Sequence, residues 1–279
     1  MIVHLIDGTY ELFRHFYGIR RFKKTDPPFG AVAGVLGGVL RMLEDGATHI
    51  GVATDHVIES FRNTLWPGYK TSQGVERALL AQFQPLEEAL LSMGVVVWPM
   101  IELEADDALA SAAFLAAEDE RVEKVCIWTP DKDLAQSVVG DRVVQIDGRR
   151  NIIRNEDGVR EKFGVAPNLI PDYLALVGDS ADGYPGITGC GPRTACQLLL
   201  RYGPIEAFPA DVLRDNFELA VLFKDLATLR TNAPLFDDVK ELRWRGATPS
   251  FAALAEKIGA TGLIRRVKKL ENHLTRQEN

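Results

Sequence analysis

Nine carboxylates in this 279-residue chain fall in short polar breaks between apolar runs: Asp7, Asp55, Glu104, Asp106, Asp107, Asp131, Asp133, Asp179 and Asp182. Two carboxylates about 4 Å apart at an effective dielectric near 20 repel by roughly 4 kcal/mol. A converging set therefore needs bound cations or protons. Oxygen-only ligands suit hard divalent ions such as Mg²⁺ or Mn²⁺ better than zinc. Each acid also has an ordinary structural use. Glu104, Asp106 and Asp107 open a helix, where carboxylates complement the dipole and cap free amides. Asp131 and Asp133 begin a short helix after Pro130, and Asp179 and Asp182 suit turns. Only the conjunction is specific.

Convergence needs a frame. Apolar, β-rich runs at 2–6, 50–53, 95–98 and 125–128 alternate with helical patterns at 10–18 and 105–117. This predicts an α/β fold whose mostly parallel central sheet is flanked by helices. Asp7, Asp55 and Asp131 follow three of those strands, at the sheet edge where open α/β folds hold ligands. From about Asn155 the pattern is helical without strands: Asn155 as a cap, helices at 172–177 and 193–202, and a glycine-rich stretch at 178–191 between them. The expected division is an α/β core over 1–154 and a helical region over 155–279. The tail at 263–276 predicts a helix bearing Arg265, Arg266, Lys268 and Lys269, either a solvated face or a DNA-facing patch.

Composition narrows the classes. With 46% hydrophobic and 25% charged residues, 24 Gly and 14 Pro, the chain is neither disordered nor collagenous. The longest apolar runs, such as 94–98, fall far short of the roughly 18 residues of a membrane helix. No secretory leader pattern opens the sequence, so a cytoplasmic protein without a membrane partner is expected. Cys126, Cys190 and Cys196 lack paired metal spacing and read as reduced thiols. The net charge of −7 argues against coating nucleic acid by bulk attraction. Committing nine carboxylates to metal leaves +2, a balance compatible with a nucleic-acid surface.

Five blocks, in order, resemble the metal-dependent 5′-nucleases, which include flap endonucleases and the 5′-nuclease domain of bacterial DNA polymerase I. They are LIDGTYELFR at 5–14, FRNTLWPGYK at 61–70, ELEADDALA at 102–110, TPDKDLAQ at 129–136 and LVGDSADGYPGITGCGPRTA at 176–195. The resemblance covers about 2–208 and implies a PIN-like nuclease core, here as a stand-alone protein. It further implies two-metal phosphodiester hydrolysis, with Asp7, Asp55, Glu104 and Asp106 mainly on one ion and Asp131, Asp133 and Asp179 on the other. Asp106 would lie near both ions, and Asp107 and Asp182 would be ligands or stand just behind them. The implied partner is DNA with a 5′ flap, nick or free 5′ end, met in replication and repair; a monomer is the default.

The same resemblance assigns Lys70 and Arg14 to the reacting phosphate. Tyr69 matches a base-stacking position, although a packing tyrosine is an equal alternative. Residues 70–88 match a helical arch that passes the single-stranded 5′ end. The arch arginine expected after the lysine is replaced around Gln73, leaving Arg77 as the nearby cation. A helix-hairpin-helix is expected over about 176–202, with Gly186, Gly189, Gly191, Arg193 and Thr194 gripping duplex phosphate and K⁺ a further ion there. Gly183-Tyr184 replaces the family's Asn-Ile, a change expected to loosen the loop carrying Asp182. Three other readings stand beside this one: a noncatalytic DNA-binding paralogue, an RNA-cleaving nuclease of related fold, and a metal-dependent phosphatase suggested by Asp7-Gly8-Thr9. Against the last, Thr9 stands where aspartyl-phosphate enzymes need a second acid.

Overall fold

The computed structural model describes residues 1–22 and 27–277. The first half runs β1 (Ile2–Asp7), α1 (Gly8–Phe22), α2 (Gly30–Glu44), β2 (His49–Asp55), α3 (Arg62–Leu65), α4 (Arg77–Leu80), α5 (Phe83–Ser92), β3 (Val96–Met100), α6 (Ala105–Glu118), β4 (Lys124–Trp128), β5 (Val143–Asp147) and β6 (Ile152–Arg154). Then come α7 (Glu156–Phe163), α8 (Ile170–Val177), α9 (Pro192–Tyr202), α10 (Ala210–Leu213), α11 (Phe217–Ala227), α12 (Phe251–Lys257) and α13 (Thr261–Gln277). No helix among the described residues is long and apolar enough to cross a membrane.

The six strands lie in the order β3-β2-β1-β4-β5-β6. All neighbours pair in parallel except β5 and β6, which are antiparallel. The sheet is thus mostly parallel and helix-flanked, as the alternation predicts. Its central strands read as nearly unbroken apolar runs because helices cover both faces. One face carries α1, α2 and α5, with Leu12, Phe16, Leu36, Leu40, Leu86 and Leu90 buried. The other packs on α6, whose alanines at 105, 108, 110, 112, 113 and 116 allow close approach to β1 and β4. A third cluster centres on the helical region, around Leu174, Leu199 and Phe223, and takes in Tyr69, Ala135 and Val138 from the first half.

Two expectations change here. Residues 70–88 do not stand out as an arch. Residues 71–76 form a loop, α4 is one turn, and Leu79, Phe83 and Leu86 sink into the first core beside α2. The apolar spacing of Phe83, Leu86, Ala89 and Leu90 makes α5 an amphipathic core helix. Residues 244–267, within the stretch read as the helical region, also pack on that first core: Trp244, Phe251, Leu263 and Val267 join it. Arg266 on α13 pairs with Glu44 on α2 at 2.7 Å.

The loop after α3 is clasped to the loop after α8. The Lys70 N–H donates to the Asp182 carbonyl at 2.9 Å, and the Trp66 indole N–H donates to the Gly183 carbonyl at 3.1 Å. Gly183 has φ +85°, and a Cβ there would sit 2.0 Å from the Gly68 carbonyl oxygen. Beside it Tyr184 is fully buried against Phe223, and its backbone bridges Asp179. The Gly-Tyr pair therefore tightens the loop, where loosening was expected. Gly183→Ala combines left-handed strain with a backbone clash, and we expect a loss of at least about 2 kcal/mol in urea unfolding; an unchanged midpoint would show that the clasp is not close-packed.

Candidate active site

Three strands deliver the first acids to one edge. Asp7 ends β1 and Asp55 ends β2, while Asp131 and Asp133 follow β4. Asp7 is fixed by the Tyr10 N–H at 2.8 Å and the Thr129 hydroxyl at 2.9 Å. Asp55 accepts from the Ala105 N–H at 2.8 Å, and its own N–H donates to the Thr9 hydroxyl at 2.8 Å. The start of α6 supplies Glu104 and Asp106. Asp179 and Asp182 arrive from the loop after α8, with Asp179 accepting from the Ala181 N–H at 2.9 Å.

Mutual repulsion marks this as one pool. Burial, with Asp55 and Asp131 adding to it, pushes the Asp7 carboxyl up to about 7. Asp106 and Asp133 are held well above the usual carboxylate range, by burial first and Asp131 next. Asp55 and Asp182 are raised by burial against the pull of Lys70. Asp133, Asp179 and Asp182 can each turn one oxygen so that all three lie within 4.8 Å of one another. The Asp133 Oδ1 and Tyr184 hydroxyl are buried there without a hydrogen-bond partner. Three converging carboxylates with an unsatisfied oxygen fit a divalent cation, and the all-oxygen donor set suits a hard one.

Lysines cover part of the pool. The Lys70 ammonium bridges Glu104 at 2.8 Å and Asp182 at 2.9 Å. Burial alone would lower its pKa, but the two carboxylates outweigh that and raise it well above normal. Glu104 is correspondingly lowered: burial pushes it up, and Lys70 and Arg62 more than reverse this. Lys132, which the sequence reading did not single out, pairs with Asp179 at 2.8 Å.

Several predicted residues do other work. Asp107 is fully buried. Its oxygens accept from Arg62 Nη1 and Nη2, both at 2.7 Å, from the Glu104 N–H at 2.9 Å and from the Arg230 N–H at 2.8 Å. With its lone pairs engaged, Asp107 is a structural anchor and not a metal ligand. Tyr69 is buried, its hydroxyl 3.3 Å from Glu104 Oε2, so the packing alternative holds and its ring cannot stack on a base. Gly186 is buried too, with φ +71° and an added Cβ only 2.4 Å from the Gly178 nitrogen, so it forms the turn and does not face DNA. Gly189, Gly191, Arg193 and Thr194 are exposed at the start of α9. Arg77 is exposed at the start of α4, while Arg14 on α1 pairs with Glu11 and makes no contact with an acid of the pool. Asp131 is exposed at the rim, and its Oδ1 accepts from the Asp133 N–H at 3.0 Å.

The residue that sequence reasoning missed is Arg62, 1% exposed, which also donates to the Leu226 and Thr228 carbonyls at 2.8 and 3.2 Å. Its signal was its place in the FRNTLWPGYK block beside Phe61, whose ring its guanidinium covers at 4.6 Å.

Comparison with known proteins agrees with this geometry. The family model described as the 5′-3′ exonuclease N-terminal resolvase-like domain matches residues 2–164, and that of the 5′-3′ exonuclease C-terminal SAM fold matches 165–250. The 5′-3′ exonuclease of Buchnera aphidicola subsp. Baizongia pistaciae is 32% identical, covering 86% of this chain and 85% of that protein. DNA polymerase I of Rhizobium leguminosarum is 32% identical over 94% of this chain, which spans only 28% of that polymerase. The bacteriophage T5 flap endonuclease, solved as a pseudo-enzyme–product complex with DNA and metal ions, shares the fold with a TM-score of 0.63 at 17% identity, covering 97% of this chain and 98% of that one. The chain belongs to the 5′-3′ exonuclease family.

The raised carboxyls set a pH dependence. Without metal, the folded pool keeps protons that the unfolded chain releases near its ordinary carboxylate pKa of about 4. Between there and about 7, the folded value for Asp7, the native state binds more protons, so stability falls as pH rises through that window. A divalent ion binds the deprotonated pool and offsets the loss. We expect Mg²⁺ or Mn²⁺ to raise the melting temperature more at pH 8 than at pH 5; an equal shift at both would show that the ion does not bind this pool.

Proposed function

We propose that this member of the 5′-3′ exonuclease family hydrolyses DNA phosphodiesters at 5′ flaps, nicks and free 5′ ends with two divalent ions, Mg²⁺ or Mn²⁺. The observation that carries the reading is the buried pool at the sheet edge, where Asp133, Asp179 and Asp182 converge on an unpartnered carboxylate oxygen. The ions, when bound, supply an acidified water as nucleophile and positive charge for the leaving oxygen. Asp7, Asp55, Glu104 and Asp106 are the ligands of one ion in this reading, with Asp131, Asp133, Asp179 and Asp182 serving the other.

The chain's own groups do the positioning. Lys70, already over Glu104 and Asp182, is the ammonium that meets the reacting phosphate as ions take over its carboxylates. Arg14, 37% exposed on its side chain, is free to exchange Glu11 for a phosphate. At α9, Pro192 follows Gly191 and the first-turn amides face solvent beside Arg193 and Thr194. Such a helix start grips backbone phosphate without reading bases, which suits a structure-specific enzyme. A monovalent ion such as K⁺ against the carbonyls of the 186–191 turn completes the duplex contact. The buried positions of α5 leave this chain without the arch at 70–88, so Arg77 acts from the surface near the 5′ end and does not close over it.

Asn replaces Asp131 or Asp179 with little change of shape but removes a ligand charge. We expect D131N and D179N to lower cleavage of a labelled 5′-flap duplex in Mg²⁺ by about a hundredfold or more, with flap binding in Ca²⁺ retained within a few-fold. Wild-type turnover in both variants, or cleavage that survives EDTA, would overturn the assignment.

A further inference from the structure

A cavity of about 270 Å³ lies between α1, α2 and the turn after β5, outside the acid pool. Three guanidinium groups line it, Arg14, Arg41 and Arg149, against one carboxylate, Glu11. Arg14 is held by Glu11, but among the described residues Arg41 and Arg149 have no carboxylate partner within ion-pair distance, and both are exposed. On a chain of net charge −7 this is a local reversal of sign. The cavity also has an aromatic surface. Trp128 lines it, half-buried, with its indole N–H already given to His4 at 3.1 Å, which leaves the ring as its contribution. Gly38 forms part of the wall, and nothing lies within 4 Å of where its Cβ would be.

The cavity's lining adjoins the acid pool along the chain. Ile6, in its lining, precedes Asp7, and Trp128 precedes Thr129, whose hydroxyl holds Asp7. Tyr10, whose N–H also holds Asp7, feels the charges of both Arg14 and Arg149. Along the sheet edge the order is Glu104 with Lys70 after β3, Asp55 on β2, Asp7 on β1, Asp131 after β4, and Arg149 after β5. Cations therefore flank the acids at both ends of one line. A polyanion crossing the acids from Lys70 arrives at Arg149, which shares its cavity with Arg41.

We propose that this cavity is a binding site for a single-stranded segment of the DNA substrate, with phosphates on Arg41 and Arg149 and one base or sugar against Trp128. Its size excludes a duplex, and a cationic groove with an aromatic surface is the general solution for single strands. The inference rests on the DNA-cleaving reading above.

The test uses the full chain, fluorescein-labelled oligo-dT and Ca²⁺ to prevent cleavage. The Arg41→Ala/Arg149→Ala double variant should bind oligo-dT about tenfold more weakly, with the salt slope of log affinity shallower by about 1.4, two phosphate contacts at roughly 0.7 each. Oligo-dT should quench tryptophan fluorescence in the wild type and less in Trp128→Phe. Affinity for a blunt duplex should stay within twofold. Unchanged oligo-dT affinity and slope would overturn the proposal, as would equal weakening for single strand and duplex, which would make the arginines general phosphate contacts. Cleavage of a nicked, flapless duplex in Mg²⁺ is followed in parallel. Its retention by the double variant leaves the nuclease reading intact whichever way single-strand binding falls.

Discussion

Carboxylates with oxygens under five ångströms apart repel one another, and the placement of the acids around Asp133, Asp179 and Asp182 is governed by that repulsion. The chain meets it in three ways. Backbone and hydroxyl donors hold Asp7 and Asp55 from their own strand ends. Ammonium groups from Lys70 and Lys132 sit directly on the acids. The remaining deficit appears as raised carboxyl pKa values at Asp7, Asp106 and Asp133. A group held above its ordinary pKa has lost solvation that only a proton or a cation restores, so affinity for cations is built into the packing.

Asp107 shows the opposite arrangement in the next position of the same helix. Four donors saturate it, and the bidentate Arg62 contact ties the start of α6 to the carbonyls at the end of α11. Removing one partner of such a buried pair costs far more than the pair contributes, so Arg62 and Asp107 fix position. The fixed helix start then aims Glu104 and Asp106 at the pool. The second region is tied in through the main chain, where Lys70 and Asp182 meet both by backbone and by ammonium. Asp133 comes from one region and Asp179 and Asp182 from the other, so a bound cation also holds the two together.

The acids were legible because each interrupts an apolar run, and polar breaks after strands fall on one sheet edge whatever the details. The parallel sheet was legible for the same reason, through the runs that became β1 to β4. What stayed hidden depended on contacts distant in sequence. A buried arginine reads as a surface one until its carbonyl partners more than 160 residues away are known. The Asp107 carboxylate cannot be told from its neighbour Asp106 by spacing, because both lie in the first turn of α6. Residues 83–92 carry a helix pattern that fits an arch or a core equally, and only the apolar face of α2 decides it. The short edge strand β6, with Ile152 and Ile153 exposed, lacks the burial that would mark it.

Helix α13 reaches back from the far end of the chain to cover α2, with Leu263 and Val267 in the first core and Arg266 on Glu44. During translation the ribosome releases α2 more than 200 residues before that cover. The side of α2 that faces away from the sheet thus stays uncovered while most of the polypeptide is still being made.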